Sequence, residues 1–218
     1  MIDLHTHSIF SDGELIPSEL VRRAKVKGYR AIAITDHGDH SNADFIIPRV
    51  AQVCRKLSEA YAIQVIPGIE LTHVPPEYIC ELAVDCRSLG ARIIVVHGET
   101  IVEPVIAGTN AAALQSPIDI LAHPGLITEE EAFLAAKNNI CLEVSARKGH
   151  SLTNGHVVIM ARRAIARLVL NTDSHAPHDM ISRDNAFKIA TGAGMLNKEI
   201  EMMFQNSELV VERALQAR

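Results

Sequence analysis

The chain has 218 residues, 48% of them apolar and 22% charged, a balance that suits a folded domain with a sizeable core and excludes a disordered tail. Its 21 basic and 26 acidic residues leave a formal charge of −5 with no basic run, so the footprint of a dedicated duplex-DNA binder is missing. No apolar run reaches the ~18 residues of a spanning helix. A strand pattern that begins at Ile2 leaves no room for a signal peptide, so a cytoplasmic protein is expected.

In chain order, IDLH (2–5) reads as a first strand; His5 and His7, two apart, emerge side by side from extended chain, and the SDG turn that follows carries Asp12. PSELVRRAKVKG (17–28) has the 3.6-residue period of a helix. AIAITDH (31–37) is a second strand ending in His37, ADFIIPRVAQVCRKLSEAYA (43–62) a helix, and IQVIPGIE (63–70) a strand ending in Glu70. The alternation continues with PEYICELAVDCRSLG (76–90), RIIVVH (92–97), DILAH (119–123), TEEEAFLAAKNN (128–139), ICLEVS (140–145), NGHVVIMARRAIA (154–166) and ARLVLNTDSH (166–175). Helical stretches from about Asn197 to Arg218 close the chain.

Strands this continuously apolar are covered on both faces, which points to a parallel sheet flanked by helices. Seven βα units fit either an open doubly wound sheet or a closed barrel. With no Pro/Gly/Ser linker and no repeat, residues 1–218 are expected to form a single domain. Cys54, Cys80, Cys86 and Cys141 form no CxxC pair and are expected to be reduced and buried, and Met180, Met195, Met202 and Met203 to fill core.

Chemistry in parallel βα architectures gathers at the carboxyl ends of the strands. Each of the seven strand patterns ends at or beside a histidine or an acid: His5 and His7, His37, Glu70, His97, His123, Glu143, and Asp173 with His175. A lone strand-end histidine is usually structural, but scattered structural histidines have no reason to choose one edge of the fold repeatedly. Imidazoles and carboxylates without thiolate suit zinc, manganese or iron. With Asp12 added, the expected ligands are His5, His7, Asp12, His37, Glu70, His97, His123, Asp173 and His175, enough for two or three divalent ions with open positions left over. Phosphate-binding glycine loops and a nucleophile elbow are both absent. Arg147, Lys148 and His150 after the sixth strand, and Arg183 after the last ligand, are the places to look for a substrate clamp. Glu143 is expected to act from behind the ligands, and Asp36 either to do the same or to cap the segment that follows.

The ordered set HTH, SDG, TDHGDH, GIE, VVH, AHPG, LEVS and NTDSH, from Asp3 to His175, resembles the PHP family, the polymerase and histidinol phosphatase phosphoesterases. The resemblance implies a distorted (β/α)7 TIM-like barrel with a trinuclear metal centre. It places His5, His7, Glu70 and Asp173 on one ion, has Glu70 bridge to a second held by His97 and His123, and puts Asp12, His37 and His175 on a third. Asp in place of His at position 12 resembles the modules attached to family X DNA polymerases. The resemblance implies hydrolysis of a small phosphate monoester; Asp12, Glu70 and His175 are the expected catalytic groups, and the loop residues Arg147, His150 and Arg183 the expected substrate contacts. Two other readings stay open: a phosphodiesterase or nuclease acting on nucleic-acid ends, and a non-catalytic RNA- or protein-binding barrel like the PHP-like subunit of archaeal ribonuclease P.

Overall fold

The computed structural model describes residues 1–216. It contains strands β1 (Ile2–Asp3), β2 (Ala31–Ile34), β3 (His37–Gly38), β4 (Gln64–Leu71), β5 (Ile93–His97), β6 (Ile120–Ala122), β7 (Cys141–Ser145) and β8 (Leu168–Asn171). The helices are α1 (Pro17–Val26), α2 (Ala43–Tyr61), α3 (Pro76–Ser88), α4 (Thr109–Leu114), α5 (Glu129–Asn138), α6 (Asn154–Ala164), α7 (Arg183–Gly192) and α8 (Asn197–Gln216). Every strand pairing is parallel, in the order β1-β2-β4-β5-β6-β7-β8, with β3 beside the far end of β4. The sheet curls into a nearly closed barrel, which decides between the two architectures open to the sequence.

Period-2 alternation separates two packing regions. Ala31 and Ala33, Ile66, Ile93 and Val95, Ile120 and Ala122, Cys141 and Val169 form an inner cluster with Val210, Val211 and Ala214 of α8. Their sequence neighbours, such as Ile32, Ile69, Ile94, Val96, Leu121, Leu142 and Leu170, pack outward against the helices. Helix α8 therefore lies against the interior cluster, while the opposite, carboxyl ends of the strands carry the histidines. Glu70 continues the inward series after Ile66, and His97 continues Ile93 and Val95, so the same alternation that fills the core aims both at the interior.

Closure is where the barrel departs from a regular ladder. β1 is two residues long rather than the four expected, and the seam to β8 consists of a Thr6–Ser174 bridge with His7 N donating to the Ser174 carbonyl at 2.9 Å. Side chains supply the missing bonds: Leu4 N donates to Asn171 Oδ1, and Thr172 N and Oγ1 both donate to the Asp3 carboxylate. Backbone groups buried at this seam are thereby satisfied without a continuous ladder.

The expected second strand splits into β2 and β3 around Thr35 and Asp36, whose side chains bind the segment after β1. Neither α4 nor α7 follows from the sequence pattern: α4 spans six residues, too few to show a period, and α7 buries only the small Ala186 and Ala190. Helix α5 starts as its TEEE sequence predicts, with Thr128 and Glu131 forming a reciprocal capping box. Two expectations of burial fail: Cys80 lies exposed on α3 and Met202 exposed on α8, each on the solvent side of an amphipathic helix. Among the described residues no helix is long and apolar enough to cross a membrane.

Candidate metal centre

All nine expected ligands converge at the carboxyl end of the barrel. Glu70, wholly buried, lies between two sets of imidazoles: its Oε1 is 3.2 Å from His5 Nε2 and 3.6 Å from His123 Nε2, and its Oε2 is 3.7 Å from His7 Nε2. Asp173 faces it, with Oδ1 3.1 Å from His7 Nε2 and 3.7 Å from His5 Nε2, and Oδ2 3.7 Å from His123 Nε2. A second group stands at the open edge. There His37 Nε2, His175 Nε2 and Asp12 Oδ1 form a triangle with sides of 3.2 to 3.5 Å, and His7 offers a further donor. His97 and His123 make a third group, their rings 4.4 Å apart.

The chemistry of these atoms fits bound cations. Buried side-chain polar atoms normally find hydrogen-bond partners. Among the described residues, the buried ones that do not are His5 Nε2, His7 Nδ1 and Nε2, Glu70 Oε1, His97 Nδ1, His123 Nδ1, Glu143 Oε1 and Asp173 Oδ1. Every one belongs to this cluster. The close pairs among them miss hydrogen-bond alignment, as expected of donors that face a common point rather than each other.

Electrostatics agree with that reading. Burial opposes the charge on Glu70 and Asp173, yet His5 and the neighbouring imidazoles hold both well below the usual carboxylate range. Burial drives His7 down to about 3, leaving its ring neutral. Burial also acts to lower His5, but Glu70, Glu143 and Asp173 override it and raise His5 well above its ordinary value. Ionised carboxylates and imidazoles packed this closely make a site that gains from metal cations, which need the carboxylates ionised and the rings unprotonated.

The ring of residues behind the donors is ordered too. Glu143 Oε2 accepts from His5 Nδ1 at 2.9 Å and from Asn171 Nδ2 at 2.9 Å, the outer role expected of it, and fixes which His5 nitrogen faces inward. Asp36 touches no ligand ring; its carboxylate accepts from Ser8 N, Ser8 Oγ and Ser11 Oγ at 2.7 to 2.9 Å and so holds the loop that carries Asp12. Gly13 ends that loop where a Cβ would lie 2.5 Å from the His7 carbonyl oxygen. His123 and Asp173 both have positive φ, 27° and 50°, backbone strain of the kind that concentrates at functional sites.

The three expected substrate contacts separate. Arg147 reaches the cluster, with Nη1 donating to the Asp173 carbonyl at 3.0 Å and lying 2.7 Å from His175 Nδ1. His150 is not a loop residue facing solvent: it is 3% exposed, in a 3-10 turn (His150–Thr153), with its ring stacked on His123 at 4.0 Å. Arg183 is a correction. It pairs with Glu201, covers the Phe204 ring and acts on the Met1 amino group, so α7 carries it away from the strand ends. Sequence reasoning missed Glu103, on the loop between β5 and α4, whose Oε2 is 3.0 Å from His97 Nε2 and whose Oε1 is 3.4 Å from His150 Nε2. No motif marks it; its place six residues after a strand-end histidine was the sole signal. His73 borders Glu103 at 3.8 Å, whereas His40 packs edge-on to Tyr78.

Fold and site define a parallel βα barrel whose strand ends gather imidazoles and carboxylates suited to divalent ions. Residues 3–165 match the family model described as PHP domain, and the chain belongs to that family. It is 50% identical over 201 residues to an uncharacterized protein of Methanocaldococcus jannaschii, spanning 91% of this chain and 92% of the relative. It is 29% identical to the probable phosphatase YcdX of Escherichia coli, over 86% of this chain and 84% of that protein. Among solved structures it is similar to a chain of an archaeal ribonuclease P with mature tRNA (TM-score 0.77, 15% identity, 98% of this chain and 91% of that one). It is also similar to the histidinol phosphate phosphatase of Lactococcus lactis in complex with zinc, L-histidinol and phosphate (TM-score 0.64, 17% identity, 89% and 94% covered).

Proposed function

We propose that this protein, acting as one PHP domain over residues 1–218, is a metal-dependent phosphoesterase that hydrolyses a small phosphate monoester. The observation that carries the reading is the position of Glu70, within 3.7 Å of both His7 and His123 and so able to serve two ions at once. His5, His7, Glu70 and Asp173 would hold one ion, Glu70, His97 and His123 a second, and Asp12, His37 and His175 a third. Manganese, zinc or iron bound there supplies Lewis acidity towards phosphoryl oxygens and lowers the pKa of water towards neutrality.

The chain's own groups do the rest. Arg147, a third exposed, presents a guanidinium beside Asp173 and His175, where a phosphate oxygen of the substrate can pair with it. Burial opposes ionisation of Asp12, but the His175 hydrogen bond and His37 keep it ionised well below the usual range. Asp12 so placed would hold an ion at the open edge together with His37 and His175. Glu143, through His5, keeps the buried end of the site in one tautomer. The names of the probable phosphatase and of the zinc- and phosphate-bound histidinol phosphate phosphatase support the same chemistry.

The test is a panel of phosphomonoesters, nucleotides and short single strands, assayed with manganese and zinc in parallel. Asp173→Asn and His123→Ala should each cut turnover by orders of magnitude with the fold intact; unchanged rates in metal-saturated assays reject the assignment. A nuclease would show activity on oligonucleotides that falls steeply with salt. The ribonuclease P likeness favours a second reading, a binding barrel, which predicts RNA association with no turnover on any ester.

A further inference from the structure

We infer that His150 and Glu103 are themselves metal ligands, adding an imidazole and a carboxylate to the Glu70–His97–His123 group. The inference rests on the metal-centre reading above and extends its ligand set by two residues.

Ring nitrogens of His97, His123 and His150 lie within 4.8 Å of one another, and all three side chains are buried. The His123 and His150 rings stack at 4.0 Å with planes 17° apart, and His97 meets His123 edge-on. Imidazoles packed like this bring ring nitrogens to a common space that a shared cation can fill. Glu103 spans the gap, one carboxylate oxygen against His97 Nε2 and the other against His150 Nε2. His150 Nδ1 pairs with Thr100 Oγ1 at 2.8 Å, which leaves Nε2 as the nitrogen directed at the cluster. That is the outer hydrogen bond metal-binding histidines use to fix their tautomer.

The loop carrying Glu103 is held in place before any ion arrives. Glu99 Oε1 accepts from Gly108 N and Asn110 N at 3.0 and 2.9 Å, and Asn110 Nδ2 donates to the Pro124 carbonyl next to His123. Gly125 packs so tightly on this loop that a Cβ would fall 1.8 Å from the Glu99 carbonyl oxygen. Three imidazoles and two carboxylates would give that ion more donors from this chain than either of the other two groups offers.

The full-length protein, purified without chelator, is dialysed against graded chelator and its metal counted by mass spectrometry, for wild type, Glu103→Gln, His150→Ala and His97→Ala. Wild type should retain one ion longer than the rest. Glu103→Gln and His150→Ala should each shift the chelator midpoint of that ion by about tenfold or more, in the direction of His97→Ala. The visible spectrum of the Co2+-substituted protein should change in the same variants. Wild-type count, midpoint and spectrum in Glu103→Gln, an exposed-loop change that leaves folding intact, would overturn the inference while the hydrolase reading stands. A wild type that carries no metal would take both down.

Discussion

Asp36→Ala tests whether the open edge of the site depends on one buried carboxylate. Asp36 is wholly buried, and accepts from Ser8 N at 2.7 Å, Ser8 Oγ at 2.8 Å and Ser11 Oγ at 2.9 Å. Burial raises its pKa, against these same hydrogen bonds, so part of their contribution offsets desolvation. Alanine removes all three and strands the Ser8 N–H, itself buried; an orphaned buried group costs about 1–3 kcal/mol, and bonds to charged acceptors contribute about 1.5–3 kcal/mol each. A net loss of about 3–5 kcal/mol follows, or roughly 10 °C in Tm for a chain of this length. Asp36→Asn keeps the Oδ1 acceptor for Ser8 N and Ser11 Oγ, and should cost about 1–2 kcal/mol. Denaturant unfolding of both variants measures the difference. Equal effects, or an Asp36→Ala loss under about 1 kcal/mol, would refute the idea that this carboxylate orders residues 8–13.

Chelation should lower Tm, because the buried donors left without partners are stabilised by cations that bind the folded chain alone; ions at a hundredfold excess over Kd contribute about 2.7 kcal/mol, roughly 5–10 °C here. A chelator-insensitive melting curve, with no recovery on adding manganese or zinc, would count against the centre. Thiol titration under native conditions should find one reactive cysteine, Cys80, and four after unfolding, since Cys54, Cys86 and Cys141 are buried and burial pushes the Cys86 thiol up to about 12 and the Cys141 thiol up to about 11. Two or more fast-reacting native thiols would contradict the packing around α2, α3 or β7.

Much of the architecture was legible along the chain. The apolar runs 64–71, 93–97, 120–122, 141–145 and 168–171 are strands, and the five expected helices, as well as the long C-terminal one, lie where their 3.6-residue period puts them. Glu70 and His97 were legible as site residues because they extend the inward-facing alternation of their own strands by one step. Boundaries failed where tertiary contacts replace ladder bonds, as at β1, whose seam is built from Asn171 and Asp3 side chains. Arg183 was misplaced because nothing in its neighbourhood reveals which way α7 turns after His175.

By itself, then, the sequence determined which residue types stand at the strand ends and that their chemistry is that of imidazole and carboxylate, since both follow from local periodicity and composition. Tertiary structure alone decided that the sheet curls into a barrel, that Glu70 stands within reach of two histidine groups, and that His150 and Glu103 join His97. Those facts depend on distances between segments far apart in the chain, which are set by how the sheet twists and how the loops pack on one another, and no single stretch of residues encodes them.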